Sequence, residues 1–98
     1  MKKAAKNSFD YIFKNFQFQK ILIICGPGNN GGDGILIAKH FSDKKKTVTI
    51  FAPLGIAKTP DSKKALNELK DNNLIKEKIN FDEYDLIIDS IFGVGFNR

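Results

Sequence analysis

The 98-residue sequence holds one cysteine, one histidine and no tryptophan. A single cysteine forms no internal disulfide, and one Cys with one His falls short of the four ligands of a structural zinc centre. No apolar run approaches the ~20 residues that cross a bilayer, and the opening stretch MKKAAKNSFDYIFKNF lacks the continuous apolar core of a secretory signal. These absences predict a cytoplasmic protein in a reducing compartment, without membrane contact. Basic residues outnumber acidic ones, 16 to 11, for a formal net charge of +5. That surplus could suit an anionic partner, but the lysines are scattered except for Lys44, Lys45 and Lys46, which read as a solvated helix end. Nucleic acid is therefore not an expected partner.

Elements alternate along the chain. Ala5, Phe9, Ile12, Phe13 and Phe16 fall on one face of a helix over residues 2–16. KILIIC at 20–25 is an unbroken apolar run closed by Gly26 and Pro27, the mark of a strand buried on both faces. Helical spacing returns from about Asp33 to Phe41, and TVTIF at 47–51 is short and β-branched. Thr59 can cap a third helix with Pro60 at its first position, running to about Asp71, with Ala65, Leu66 and Leu69 inward. Ile75–Ile79 fits a short edge strand and DLIIDS at 85–90 a second buried strand.

With no repeat or linker, residues 1–98 form one domain of the α/β class: a three-layer αβα Rossmann-like fold with a mainly parallel, partial sheet of about 3–4 strands. In such a sheet the ligand crevice lies beyond the carboxyl ends of the strands, where both glycine-rich segments fall.

The first of these, GPGNNGGDG at 26–34, contains GxGxxG at Gly26, Gly28 and Gly31. A redox dinucleotide site would carry an acid at the end of the next strand, where this chain has Phe51, Ala52 and Pro53. A Walker A loop would need GK[ST]. The segment offers backbone N–H groups at a helix start, suited to an anion, while Asn29, Asn30 and Asp33 offer hard oxygens suited to a cation or to sugar hydroxyls. A plain Gly/Asn turn with Asp33 as helix cap is the alternative. Asp89, at the end of an apolar strand, reads either as a site carboxylate meeting a cation or as a cap on loop backbone. Beyond it, Gly93, Gly95 and Phe96 make a flexible N–H-rich turn, and Asn97 and Arg98 could reach a phosphate. Cys25 reads as a small buried hydrophobe, and His40 as a favourable contact at the end of its helix.

GPGNNGGDG after a buried strand, followed by YDLIIDSIFGVGF about fifty residues later, resembles the YjeF N-terminal domain family, the NAD(P)H-hydrate epimerases, over nearly the whole chain. The resemblance implies conversion of the R form of hydrated NADH or NADPH to the S form, which a partner NAD(P)H-hydrate dehydratase repairs. It assigns substrate contacts to Asn29, Asn30, Gly31, Gly32 and Asp33, and to Gly93, Val94, Gly95, Phe96, Asn97 and Arg98. It assigns a potassium ion to Asn30 and Asp89. A homodimer is compatible with it.

The epimerised carbon bears a hydroxyl and the ring nitrogen, so its configuration inverts when the carbon–oxygen bond breaks and re-forms from the other face, assisted by an acid/base. The family's catalytic aspartate falls in a segment beyond Arg98, and a stretch ahead of Met1 is also expected. The chain therefore reads as a piece of the domain, incomplete at both ends, keeping the binding crevice with little or no epimerase activity alone. If the later strands are missing, the strand ending at Ser90 is left as an uncovered edge. The alternative is a non-catalytic nucleotide- or RNA-binding scaffold domain of the same fold.

Overall fold

A computed structural model of the chain describes residues 2–69, 72–91 and 95–97. Its elements run α1 (Lys2–Asn15), β1 (Lys20–Cys25), α2 (Asn29–Asp43), β2 (Thr47–Phe51), α3 (Pro60–Glu68), β3 (Ile75–Lys76), β4 (Leu86–Ser90) and β5 (Gly95–Asn97), with single 3-10 turns at Asn72–Leu74 and Phe81–Glu83. The sheet has five strands in the order β3-β2-β1-β4-β5. β1, β2, β3 and β4 are parallel, and β5 is antiparallel to β4.

The strand registers sort the apolar side chains onto two faces. Ile21 pairs with Val48 and Leu86, and Ile23 with Ile50 and Ile88; these residues join Ala5, Phe9, Ile12, Ile35, Ile37, Phe41, Ala65 and Leu69 in one buried core. All three helices therefore pack against this face. α2 lies centrally, with α1 and α3 both against it, which explains why Ile35, Leu36, Ile37 and Ala38 are buried on every side of that helix. Leu22, Ile24, Thr49, Phe51, Ile87 and Asp89 alternate onto the opposite face. The Rossmann-like class holds; of its three layers, the described residues supply the sheet and one helical layer.

Aromatic packing closes the end of the core away from the strands' carboxyl edge. Phe41 meets Phe9 and Phe18 edge-on, with ring centroids 4.9 and 5.3 Å apart. The lysine triplet is not simply solvated: Lys45 takes a left-handed φ of 62°, and half-buried Lys46 donates from Nζ to the Phe18 carbonyl at 3.0 Å and lies over the Phe18 ring. No helix among the described residues is long and apolar enough to cross a membrane.

Several boundaries differ from the sequence reading. α2 begins four residues early, at Asn29 rather than Asp33, so NNGG is the helix's first turn and not a loop. α3 ends at Glu68, with residues 70–71 outside the described set. The edge strand at Ile75 has two residues, not five. Gly95–Asn97, expected as part of a flexible turn, is strand β5 and covers the side of β4 that was expected to be an open edge. Thr59 and Pro60 start α3 as expected, and Ser62, not singled out from sequence, completes the cap: the Thr59 hydroxyl accepts from Ser62 N–H at 3.1 Å and Ser62 Oγ accepts from Thr59 N–H at 2.9 Å.

Candidate functional site: the carboxyl edge between β1 and β4

The strand order turns back on itself between β1 and β4: two crossovers lead outward, from β1 to β2 and from β2 to β3, and the chain then returns to the other side of β1. An open α/β sheet forms its ligand crevice at such a reversal. Here the two strand ends are tied together, since Gly26 N–H donates to the Ser90 carbonyl at 3.3 Å.

Two glycines let α2 descend onto this junction. A Cβ added at Gly31 would fall on the Gly26 carbonyl, and one at Gly34 on Ser90 Oγ, with Cys25 Sγ 2.9 Å away. Only residues without a side chain bring the helix start this close to the strand ends. The N-cap is Gly28, which supplies no side-chain hydrogen bond, and the first intrahelical bond runs from Gly32 N–H to the Gly28 carbonyl at 3.2 Å. The opening turn of α2 thus directs its N–H groups and the positive end of the helix dipole at the crevice.

Asn29 is exposed and Asn30 half-buried in that turn. Asp33 is the fifth helical residue and not the cap, which removes that alternative. Its side chain is half-buried, and Oδ1 is fully enclosed without a hydrogen-bond partner. Burial raises its pKa above the ordinary carboxylate value.

Asp89 is exposed at the end of β4, where Oδ1 accepts the Ile91 N–H at 3.0 Å. This realises the loop-capping reading through one of the two carboxylate oxygens. Gly93, Val94 and Arg98 lie outside the described residues. Gly95, Phe96 and Asn97 are placed by backbone alone, paired with Asp89, Ile88 and Ile87 respectively.

Cys25 and His40 carry no nucleophilic pair. Burial pushes the Cys25 thiol up to about 12 despite a hydrogen bond with Ser90. His40 stacks near Phe9, with ring centroids 5.1 Å apart, in the last turn of α2. Desolvation, with Lys39 and Lys6, lowers its pKa, so the charged form that would favour the helix end is disfavoured. Among the described residues, no group of three His, Cys, Asp or Glu side chains could hold a metal.

One participant was not singled out from sequence as part of the site. Thr59 Oγ1 donates to Asn29 Oδ1 at 2.6 Å, and Lys58 N–H donates to the Pro27 carbonyl at 2.8 Å. The start of α3 is therefore bonded directly to the glycine segment. Thr59 was legible as a cap, but a contact across thirty residues leaves no local signal.

The whole chain, residues 1–98, matches the family described as YjeF-related protein N-terminus. The chain belongs to that family. Among curated relatives of this YjeF-type domain, it is 38% identical over 109 residues to a bifunctional NAD(P)H-hydrate repair enzyme of Dictyoglomus turgidum, covering 100% of the chain and 21% of that protein. It is 40% identical over 84 residues to an NAD(P)H-hydrate epimerase of Paramecium tetraurelia, covering 81% of the chain and 34% of that protein. The crystal structure of yeast ynu0 superposes with a TM-score of 0.61 at 26% identity, over 91% of the chain and 42% of the yeast protein. The chain thus spans between a fifth and about two fifths of these relatives.

Proposed function

We propose that this YjeF-type domain binds hydrated NADH or NADPH at the β1/β4 edge and serves the epimerisation of the R form to the S form. The observation that carries the reading is the close approach of the α2 start to the strand ends, permitted by Gly31 and Gly34 within GPGNNGGDG. The names of the Paramecium and Dictyoglomus relatives support the substrate, and the second, named bifunctional, supports a dehydratase acting on the product. A cytoplasmic location belongs to the same reading, supported by the lone buried thiol.

In this reading the opening turn of α2 holds acceptor oxygens of the dinucleotide with its N–H groups, and Asn29, Asn30 and Asp33 orient the rest. The family resemblance adds ligand contacts from Gly93 to Arg98. Positioning of this kind removes the entropic cost of aligning the carbon–oxygen bond for cleavage and re-addition from the opposite face.

Asn30 and Asp89 are the residues that would hold potassium. The chemistry of the set fits a hard monovalent cation: an amide oxygen at a helix start and a surface carboxylate at a strand end, with no soft ligand. When bound, such an ion supplies positive charge that fixes nearby ligand oxygens.

A non-catalytic binding role is the second reading. It is favoured by the inert state of Cys25 and the remoteness of His40, which leave Asp33 and Asp89 as the carboxylates described along the α2 start and the β4 end.

The assay that tests the proposal mixes R-hydrated NADPH with the purified chain and follows the S form against the spontaneous rate, with potassium and then with sodium. A potassium-dependent acceleration lost in Asp89→Ala supports epimerisation. Binding of the R form without acceleration fits a chain that keeps the crevice without activity of its own, and absence of binding rejects both readings.

A further inference from the structure

The α3 cap touches the proposed site through one short hydrogen bond, and its proton bookkeeping fixes what that contact does. The Thr59 hydroxyl has one proton. Its oxygen accepts the Ser62 N–H at 3.1 Å, completing the cap. Ser62 Oγ accepts the Thr59 N–H at 2.9 Å and donates to the Thr59 carbonyl at 3.0 Å. The single Thr59 proton has two acceptors in reach, Asn29 Oδ1 at 2.6 Å and Ser62 Oγ at 2.8 Å; the shorter contact, and the N–H that Ser62 Oγ already accepts, favour Asn29.

We propose that Thr59 is a positioning residue for the dinucleotide site: it clamps the side-chain oxygen of Asn29, so that the Asn29 amide presents its two N–H donors to the ligand. An asparagine left to rotate could offer either end; one whose oxygen is held offers only donors. The subsite at Asn29 consequently takes an acceptor oxygen of the ligand. The clamp is itself held in place, because Lys58 N–H to the Pro27 carbonyl at 2.8 Å fixes the α3 entry against the glycine segment. Ala57 accepts a left-handed φ of 55° in the same stretch, a conformation that costs free energy and persists only where its surroundings enforce it.

This inference rests on the reading of the edge as a hydrated-dinucleotide site, so its test has a readout that needs no ligand. Side-chain amide resonances of Asn29 are recorded in the ligand-free chain for wild type, Thr59→Val, Thr59→Ser and Ser62→Ala, and the affinity of each for R-hydrated NADPH is titrated. Thr59→Val is expected to move the Asn29 amide signals and weaken binding about tenfold, the loss of roughly one hydrogen bond. Thr59→Ser is expected to restore both. Ser62→Ala damages the cap and removes the second acceptor of the Thr59 proton, leaving Asn29 Oδ1 as its partner, and is expected to lower stability while keeping the affinity near wild type. Unmoved Asn29 signals in Thr59→Val, or an equal loss of affinity in Ser62→Ala, would overturn the clamp. Failure of wild type to bind counts against the functional reading alone, and the amide signals still decide the role of Thr59.

Discussion

Gly34 and Ser90 meet with no room for a methyl group: a Cβ at position 34 would land on Ser90 Oγ. That hydroxyl is not free to swing away without loss, since it donates to the Ile24 carbonyl at 3.0 Å. Gly34→Ala is therefore expected to destabilise the fold by about 1–3 kcal/mol, the usual cost of overpacking. Ser90→Ala should recover part of it, because the contacts to Cys25 Sγ and Ser90 Cβ remain. Urea denaturation of the two single variants and the double variant measures the coupling; strict additivity would contradict the contact.

Gly31 faces backbone instead of a side chain. Its added Cβ would overlap the Gly26 carbonyl, which belongs to the link between β1 and β4. Gly31→Ala is expected to cost more than Gly34→Ala, about 3 kcal/mol or above, and no second-site side-chain truncation should rescue it. Recovery by Ser90→Ala would show that the helix shifts as a body.

Asp85 sets an acid limb on stability. Its Oδ2 accepts the Lys20 and Gln19 N–H groups, both at 3.0 Å, and these bonds, Lys20 first, hold its pKa below the ordinary 3.8. A carboxyl with a depressed folded pKa binds fewer protons folded than unfolded. Its contribution is present above the unfolded value and lost as pH falls through the folded one. Asp85→Asn should lower the melting temperature at neutral pH and flatten the loss below pH 3.8; parallel curves for the two proteins would refute the assignment.

Asp33 has the opposite sign. Burial raises its folded pKa above 3.8, so the folded chain holds that proton more tightly and stability declines as pH rises from there through the folded value. The cost is fully present above the folded value. Asp33→Asn is expected to melt higher than wild type at pH 7 and to converge with it in acid, while binding R-hydrated NADPH more weakly. Equal melting temperatures at pH 7 would mean that the enclosed oxygen carries no cost.

The strands Lys20–Cys25 and Thr47–Phe51 were legible to the residue because an apolar run bounded by Gly, Pro or Lys has few other ways to be buried. The α3 start was legible because Thr59 and Pro60 are adjacent and signal a cap and a first helical position locally. The start of α2 was not. Asn29, Asn30, Gly31 and Gly32 have turn propensities, and what makes them helical is the long-range fit of Gly31 against Gly26 and of Gly34 against Ser90. Gly95–Asn97 misled for the same reason, its strand state coming from pairing with β4 and not from its own glycine-rich sequence. At the site, residue types and chain order pointed to one edge of the sheet, whereas the Thr59–Asn29 bond and the enclosed oxygen of Asp33 depend on tertiary contacts.

The most direct test of the central claim is a backbone-resolved NMR titration of the chain with R-hydrated NADPH. The account predicts saturable shifts concentrated at Gly26–Asp33, Thr59 and Ser90–Ile91, weakened in Asn30→Ala. No saturable shifts, or shifts centred on the Lys44–Lys46 end of the molecule, would contradict it.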